Sequence, residues 1–173
     1  MAVLPSQWKF FAEQKGICMK LIPAFILSMA ITAPVLAQSA SGAQVYAGKD
    51  VAAQLQALLA TAKGSGSGGA TLGDFQSHAI KLSVRTSSGG AEVHAHFDDI
   101  FFVTDGSATL VTGGQLQNAQ TAPDGESKGS GIEGGTRQVI RKGDVAHVPA
   151  GTPHQLILAP GETYSSIVIK VKE

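Results

Sequence analysis

Residues 143–154 read Gly-Asp-Val-Ala-His-Val-Pro-Ala-Gly-Thr-Pro-His. Two glycines here supply turn conformations, and Pro149 stiffens the chain between them. His154 then opens a run in which Leu156 and Leu158 share its face. A histidine on the apolar face of a strand is costly unless something satisfies it. A metal ion shared with other imidazoles would do so.

Upstream, His94 and His96 stand two apart on a stretch read as the strand Glu92–His96. Residues two apart share a strand face, so both rings could reach one ion. Asp98 and Asp99 follow. On the next strand, Ile100–Thr104, Asp99 shares its face with Phe101 and Val103 and is expected to point inward, while Asp98 faces away.

The two segments together resemble the cupin family. Gly143, Pro149, Gly151 and His154 match the motif G-x5-P-x-G-x2-H position for position. His94, His96 and Gly106 resemble the paired histidines and closing glycine of G-x5-H-x-H-x3,4-E-x6-G. Gly89 lies close to where its opening glycine should be, with one residue fewer in between. Counting back from Gly106, the family's Glu falls on Asp99, closer to His96 than the motif prescribes. The resemblance covers about residues 75–172. It implies an all-β, jelly-roll (double-stranded β-helix) barrel holding one divalent metal ion on His94, His96, Asp99 and His154. Asp99 could bind directly, bind through water, or leave the site to the histidines. Mn, Fe, Ni, Cu and Zn all suit such ligands.

The periodicity around these segments is that of a β-domain. In Ile80–Arg85, apolar and polar residues alternate, as in a half-buried strand. Ala108–Thr112, Thr136–Arg141, Val145–Pro149, Gln155–Leu158 and Tyr164–Val171 read as further short strands separated by turn residues. Gly113–Gly135, almost free of apolar residues, reads as a long inserted loop over the barrel mouth. Before the barrel, Val51, Leu55, Leu58, Leu59 and Ala62 recur at helical spacing. Asp50 marks the start of this helix and Gly64 its end, and its narrow apolar stripe suits packing on the outside of a larger body. Gly64–Gly69 reads as a flexible linker, so residues 38–69 form a helix and linker and residues 70–173 the barrel domain.

Residues 1–37 read as an export signal. Lys20 precedes an interrupted apolar run, Leu21–Leu36, and Val35-Leu36-Ala37 places small residues before a cut after Ala37. A membrane anchor competes, but the run is short for a bilayer span. Met19 would be the more natural start, with residues 1–18 an over-extension. Cleavage would remove Lys9, Lys15, Lys20 and Glu13, leaving 10 basic and 12 acidic residues. That near-balance gives no reason to expect nucleic acid or an anionic membrane as partner. Cleavage would also remove Cys18, the only cysteine, so thiolate chemistry is excluded and any metal must sit on imidazole and carboxylate.

The expected product is a periplasmic or secreted cupin taking a small polar molecule, with homodimer formation open through an edge strand. Two classes fit: a metal-dependent oxygenase, decarboxylase or isomerase, or a metal-free or non-catalytic binding cupin. Glu92 and Asp98 are candidate bases by proximity alone. His147 reads as a satisfied, half-exposed histidine; His78 reads likewise, though it could line the barrel mouth. Arg85 and Arg137 read as surface residues that could also meet an anionic substrate, and Phe97, Phe101 and Phe102 as packing.

Overall fold

The computed structural model describes residues 42–173, so the export signal expected at residues 1–37 lies outside the described residues. Among the described residues one helix, α1 (Gly48–Ser65), precedes twelve strands: β1 (Ser67–Asp74), β2 (His78–Arg85), β3 (Ala91–Val93), β4 (Phe97–Thr112), β5 (Gln115–Gln117), β6 (Gln120–Thr121), β7 (Ser127–Gly129), β8 (Gly131–Glu133), β9 (Thr136–Arg141), β10 (Val145–Val148), β11 (His154–Ile157) and β12 (Tyr164–Lys172). Among the described residues no helix is long and apolar enough to cross a membrane.

The organising element is β4. Its first half pairs with β10 and β12, and its second half with β9 and β11. One sheet therefore runs β1-β2-β12-β4-β10 and the other β6-β7-β3-β11-β4-β9, with β4 common to both. All the pairings are antiparallel. This is the expected jelly roll, the double-stranded β-helix. The strand turns from one sheet to the other around Gly106, where φ is +72° and a Cβ would lie 1.9 Å from the Thr163 carbonyl oxygen. Only glycine fits there. The motif glycines Gly143 and Gly151 also have positive φ, 93° and 74°. Phe101, Val103, Leu110, Ile140, Val148, Leu156, Leu158 and Val168 form the apolar core between the sheets.

The glycine/serine run 64–69 is not a linker. Gly64 and Ser65 complete the last turn of α1, Gly66 caps it in the left-handed region, and Ser67–Gly69 begin β1, which pairs with β2. The small residues serve close packing. A Cβ on Gly68 would lie 2.7 Å from the Leu58 carbonyl oxygen of α1. What reads as flexibility is the clearance that lets the helix lie on the sheet.

The insertion 113–135 is likewise not a structureless loop. β5 and β8 form a small ribbon in which Leu116 faces Ile132, and β7 joins the second sheet beside β3. Hydrogen bonds among Gln, Ser and Gly backbones supply what the missing apolar alternation cannot signal.

Candidate metal centre

β3 is shorter than its sequence suggests. It stops at Val93, and Ala95 and His96 form a turn before β4. Strand alternation therefore fails at His96, whose side chain is exposed on the rim beside Gly125. Instead Glu92, on β3, and His94, just past its end, turn their side chains to the same place. His154, in register with Glu92 across β11 and β3, completes the group. Ligand atoms of Glu92, His94 and His154 all lie within 4.8 Å of one another.

Asp99 comes from the first half of β4 and is 3% exposed, facing inward as expected. Its Oδ2 lies 3.3 Å from His94 Nε2 and 3.6 Å from His154 Nε2. Glu92 Oε1 lies 3.9 and 3.6 Å from the same two nitrogens. Two imidazoles and two carboxylates thus converge, and His96 is not among them. With Glu92 in the position of the first histidine, the spacing Glu92-x-His94-x4-Asp99-x6-Gly106 fits the part of the family motif that follows its opening glycine without shortening, while Thr86 stands where that glycine would fall. The sequence carried that signal, hidden because a carboxylate stands where histidine is expected.

Both rings are held from behind. Glu126, immediately before β7 in the insertion, hydrogen-bonds Nδ1 of His94. The Thr152 carbonyl accepts from Nδ1 of His154 at 3.1 Å. The Gly151 amide donates to the His94 carbonyl at 2.8 Å, which ties the second motif's turn to the first segment. Each ring therefore presents Nε2 to the interior, and both Nε2 atoms are buried with no hydrogen-bond partner. Unpartnered buried nitrogens facing carboxylates at 3.3–3.9 Å are what a divalent ion bonded at about 2.1 Å would satisfy. The residues fit such an ion. Nothing in the sequence marked Glu126, because its loop position is set only by the β3–β7 pairing.

The electrostatics of the cluster are strongly coupled. Burial opposes charge on His154, yet Asp99, Glu92 and the Thr152 carbonyl outweigh it and push its pKa up to about 9. Burial likewise opposes charge on His94, and Asp99 and Glu126 raise it. Burial opposes ionisation of Asp99, but His154, His94 and Lys170 hold it far below the usual carboxylate range. Glu92 is lowered against burial chiefly by His154. Lys170, on β12, donates to Asp99 Oδ1 at 2.6 Å, so that carboxylate bridges a lysine and two imidazoles.

The remaining candidates are structural. Asp98 faces outward, accepting from His147 Nε2 and from the Ala150 amide, each at 2.7 Å, and so anchors β10 and the following turn. His78 stacks on Phe75 at 4.8 Å. Arg137 is exposed. Phe101 packs edge-on to His154 at 6.3 Å. Arg85, half-buried, lines a pocket with Asp99 and His154.

No family model matches the chain, and no curated protein matches it. Solved structures resemble it at the level of fold, and they include cupin superfamily proteins. A cupin-superfamily sugar phosphate isomerase from Silicibacter pomeroyi is 20% identical, with a TM-score of 0.44 over 65% of this chain and 63% of that one. The DMSP lyase DddQ from Ruegeria pomeroyi is 16% identical, with a TM-score of 0.45 over 62% of this chain. The match spans about half of that lyase, 47% of its length. A double-stranded β-helix protein from Klebsiella pneumoniae is 14% identical, with a TM-score of 0.44 over 59% of this chain and 69% of that one.

Proposed function

We propose that the chain is an exported cupin that holds one divalent transition metal on His94, His154, Glu92 and Asp99 and acts on a small polar organic molecule admitted through the barrel mouth. The observation that carries this reading is the pair of buried, unpartnered Nε2 atoms facing two carboxylates. The export half rests on the apolar run Leu21–Leu36 and the small residues before position 38.

A bound divalent ion with open positions would supply Lewis-acid activation of a carbonyl or of a bound nucleophile. The chain's own residues do the rest. Glu126 and the Thr152 carbonyl fix the ring orientations. Lys170 holds Asp99 in place. A cavity of about 520 Å3 between the insertion and the barrel, reaching His94, Glu126 and Phe97, gives the molecule its path.

One observation favours the metal-free alternative: Lys170 already neutralises Asp99 at 2.6 Å, so the cluster can stand as an ion-paired network. Elemental analysis of the purified chain separates the two. About one transition-metal ion per chain is expected, lost in His94→Ala and His154→Ala and kept in His96→Ala. A chain that takes up no Mn, Fe, Ni, Cu or Zn would sink the metal reading.

A further inference from the structure

The interior face of β2 is basic. Leu82 and Val84 are buried, and Val84 faces a groove that Leu55 and Leu59 of α1 also line. The opposite face of the strand carries Lys81, Ser83 and Arg85, which line an inner cavity of about 190 Å3 with Asp99 and His154. Val84 on one side of this strand is thus covered by the helix, while the charged residues of the other side are turned into the barrel, where Leu82 also borders the cavity. A small antiparallel barrel ordinarily does the reverse.

These cations lack counter-charges. Among the described residues neither Lys81 nor Arg85 has a carboxylate within ion-pairing distance, although Lys170 is paired with Asp99. The Arg85 Nε is buried without a hydrogen-bond partner. Its guanidinium lies against Gly89, where a Cβ would sit 2.7 Å from Nη1, so the missing side chain leaves the space it occupies. Confined cations without partners are costly, and a ligand anion would remove that cost.

We propose that Lys81 and Arg85 bind the oxyanion, a carboxylate or a phosphate, of a small organic ligand in the inner cavity beside the imidazole–carboxylate cluster. This rests on reading the barrel as a small-molecule site but does not require the metal. Arginine's planar fork suits either oxyanion, and lysine adds a point charge. About 190 Å3 accommodates an anionic head of a few heavy atoms. The remainder of the molecule extends past Lys81, Glu92 and Lys170, which border both cavities, into the larger one.

Calorimetric titration of the intact chain tests this, with malonate, inorganic phosphate and neutral malonamide as probes, with and without added zinc. Malonate or phosphate should bind and malonamide should not; which anion binds tighter identifies the carboxylate or the phosphate as the source. Arg85→Gln and Lys81→Gln should each weaken binding about tenfold or more, with Arg85→Lys retaining part of it and zinc content unchanged in all three. Failure of both anions to bind, equal binding of malonamide, or unchanged affinity in both glutamine variants would overturn the proposal. Anion binding that needs zinc and His94 but not Arg85 would overturn it while leaving the metal reading intact. Arg85-dependent binding in a chain that takes up no metal would sustain it and end the metal reading.

Discussion

The carboxylate of Glu126 holds Nδ1 of His94, so a side chain from the insertion 113–135 steers a ring that follows the neighbouring strand β3. Carboxylates behind ligating histidines commonly change metal affinity by about 10–100-fold. Glu126→Gln is expected to weaken zinc binding by about that factor, measured by competition with a chelator of known affinity. His96→Ala, on the exposed rim nearby, should leave it unchanged. Equal effects of the two substitutions would mean that the Glu126 contact does not act on the site.

The raised pKa of His154, about 9, has opposite consequences with and without metal. In the metal-free chain the charged ring contributes stability that is fully present below its unfolded pKa of about 6.5. That contribution is lost as the pH rises from there through about 9. The melting temperature of chelator-treated protein should therefore fall over this window. Zinc competes with the proton on the ring, so its affinity should climb over the same window. A flat zinc affinity between pH 6.5 and 9 would show that His154 does not exchange a proton for the ion.

Lys170→Met removes the cation from Asp99 Oδ1, leaving a buried carboxylate to its histidine neighbours. Breaking a buried pair typically costs about 3–5 kcal/mol. The metal-free variant should lose stability on that scale in urea titration. Saturating zinc should recover a large part of the loss, since the ion replaces the missing positive charge. A loss of the same size with and without zinc would mean that Asp99 does not face the ion.

Gly64 and Gly68 test whether the glycine/serine run is a linker. Around Gly64, in the helix, a Cβ would meet nothing within 4 Å. Gly64→Ala should stabilise the chain by about 0.5–1 kcal/mol, because alanine is the better helix former. Gly68→Ala places a Cβ 2.7 Å from the Leu58 carbonyl oxygen and should destabilise by about 1–3 kcal/mol as α1 is pushed away. A flexible linker would leave both near zero in thermal and urea unfolding.

Much of this architecture is written in the alternation of β2, in the first half of β4 and in β12, and in the offsets Gly143, Pro149, Gly151 and His154. Asp99 and His154 could be placed because each lies on a strand whose apolar neighbours fix its face. His96 could not, because the chain turns at Ala95 and His96 and the two-residue rule stops at Val93. Glu92 lay in plain view but carried the wrong chemistry for the expected motif position. The insertion strands were illegible because only Leu116 and Ile132 face each other there and the rest is polar backbone pairing. Arg85 could be read either as a surface residue or as a partner for an anion, because nothing local to β2 tells which of its faces the helix α1 will cover.

Because β4 serves both sheets as one unbroken 16-residue strand, the two walls cannot part without tearing its ladders. The way into the space between them is therefore the open rim, where Glu126 of the insertion reaches His94. Substitutions in that polar overhang can reshape the rim while the wall strands and the buried imidazole–carboxylate cluster stay fixed.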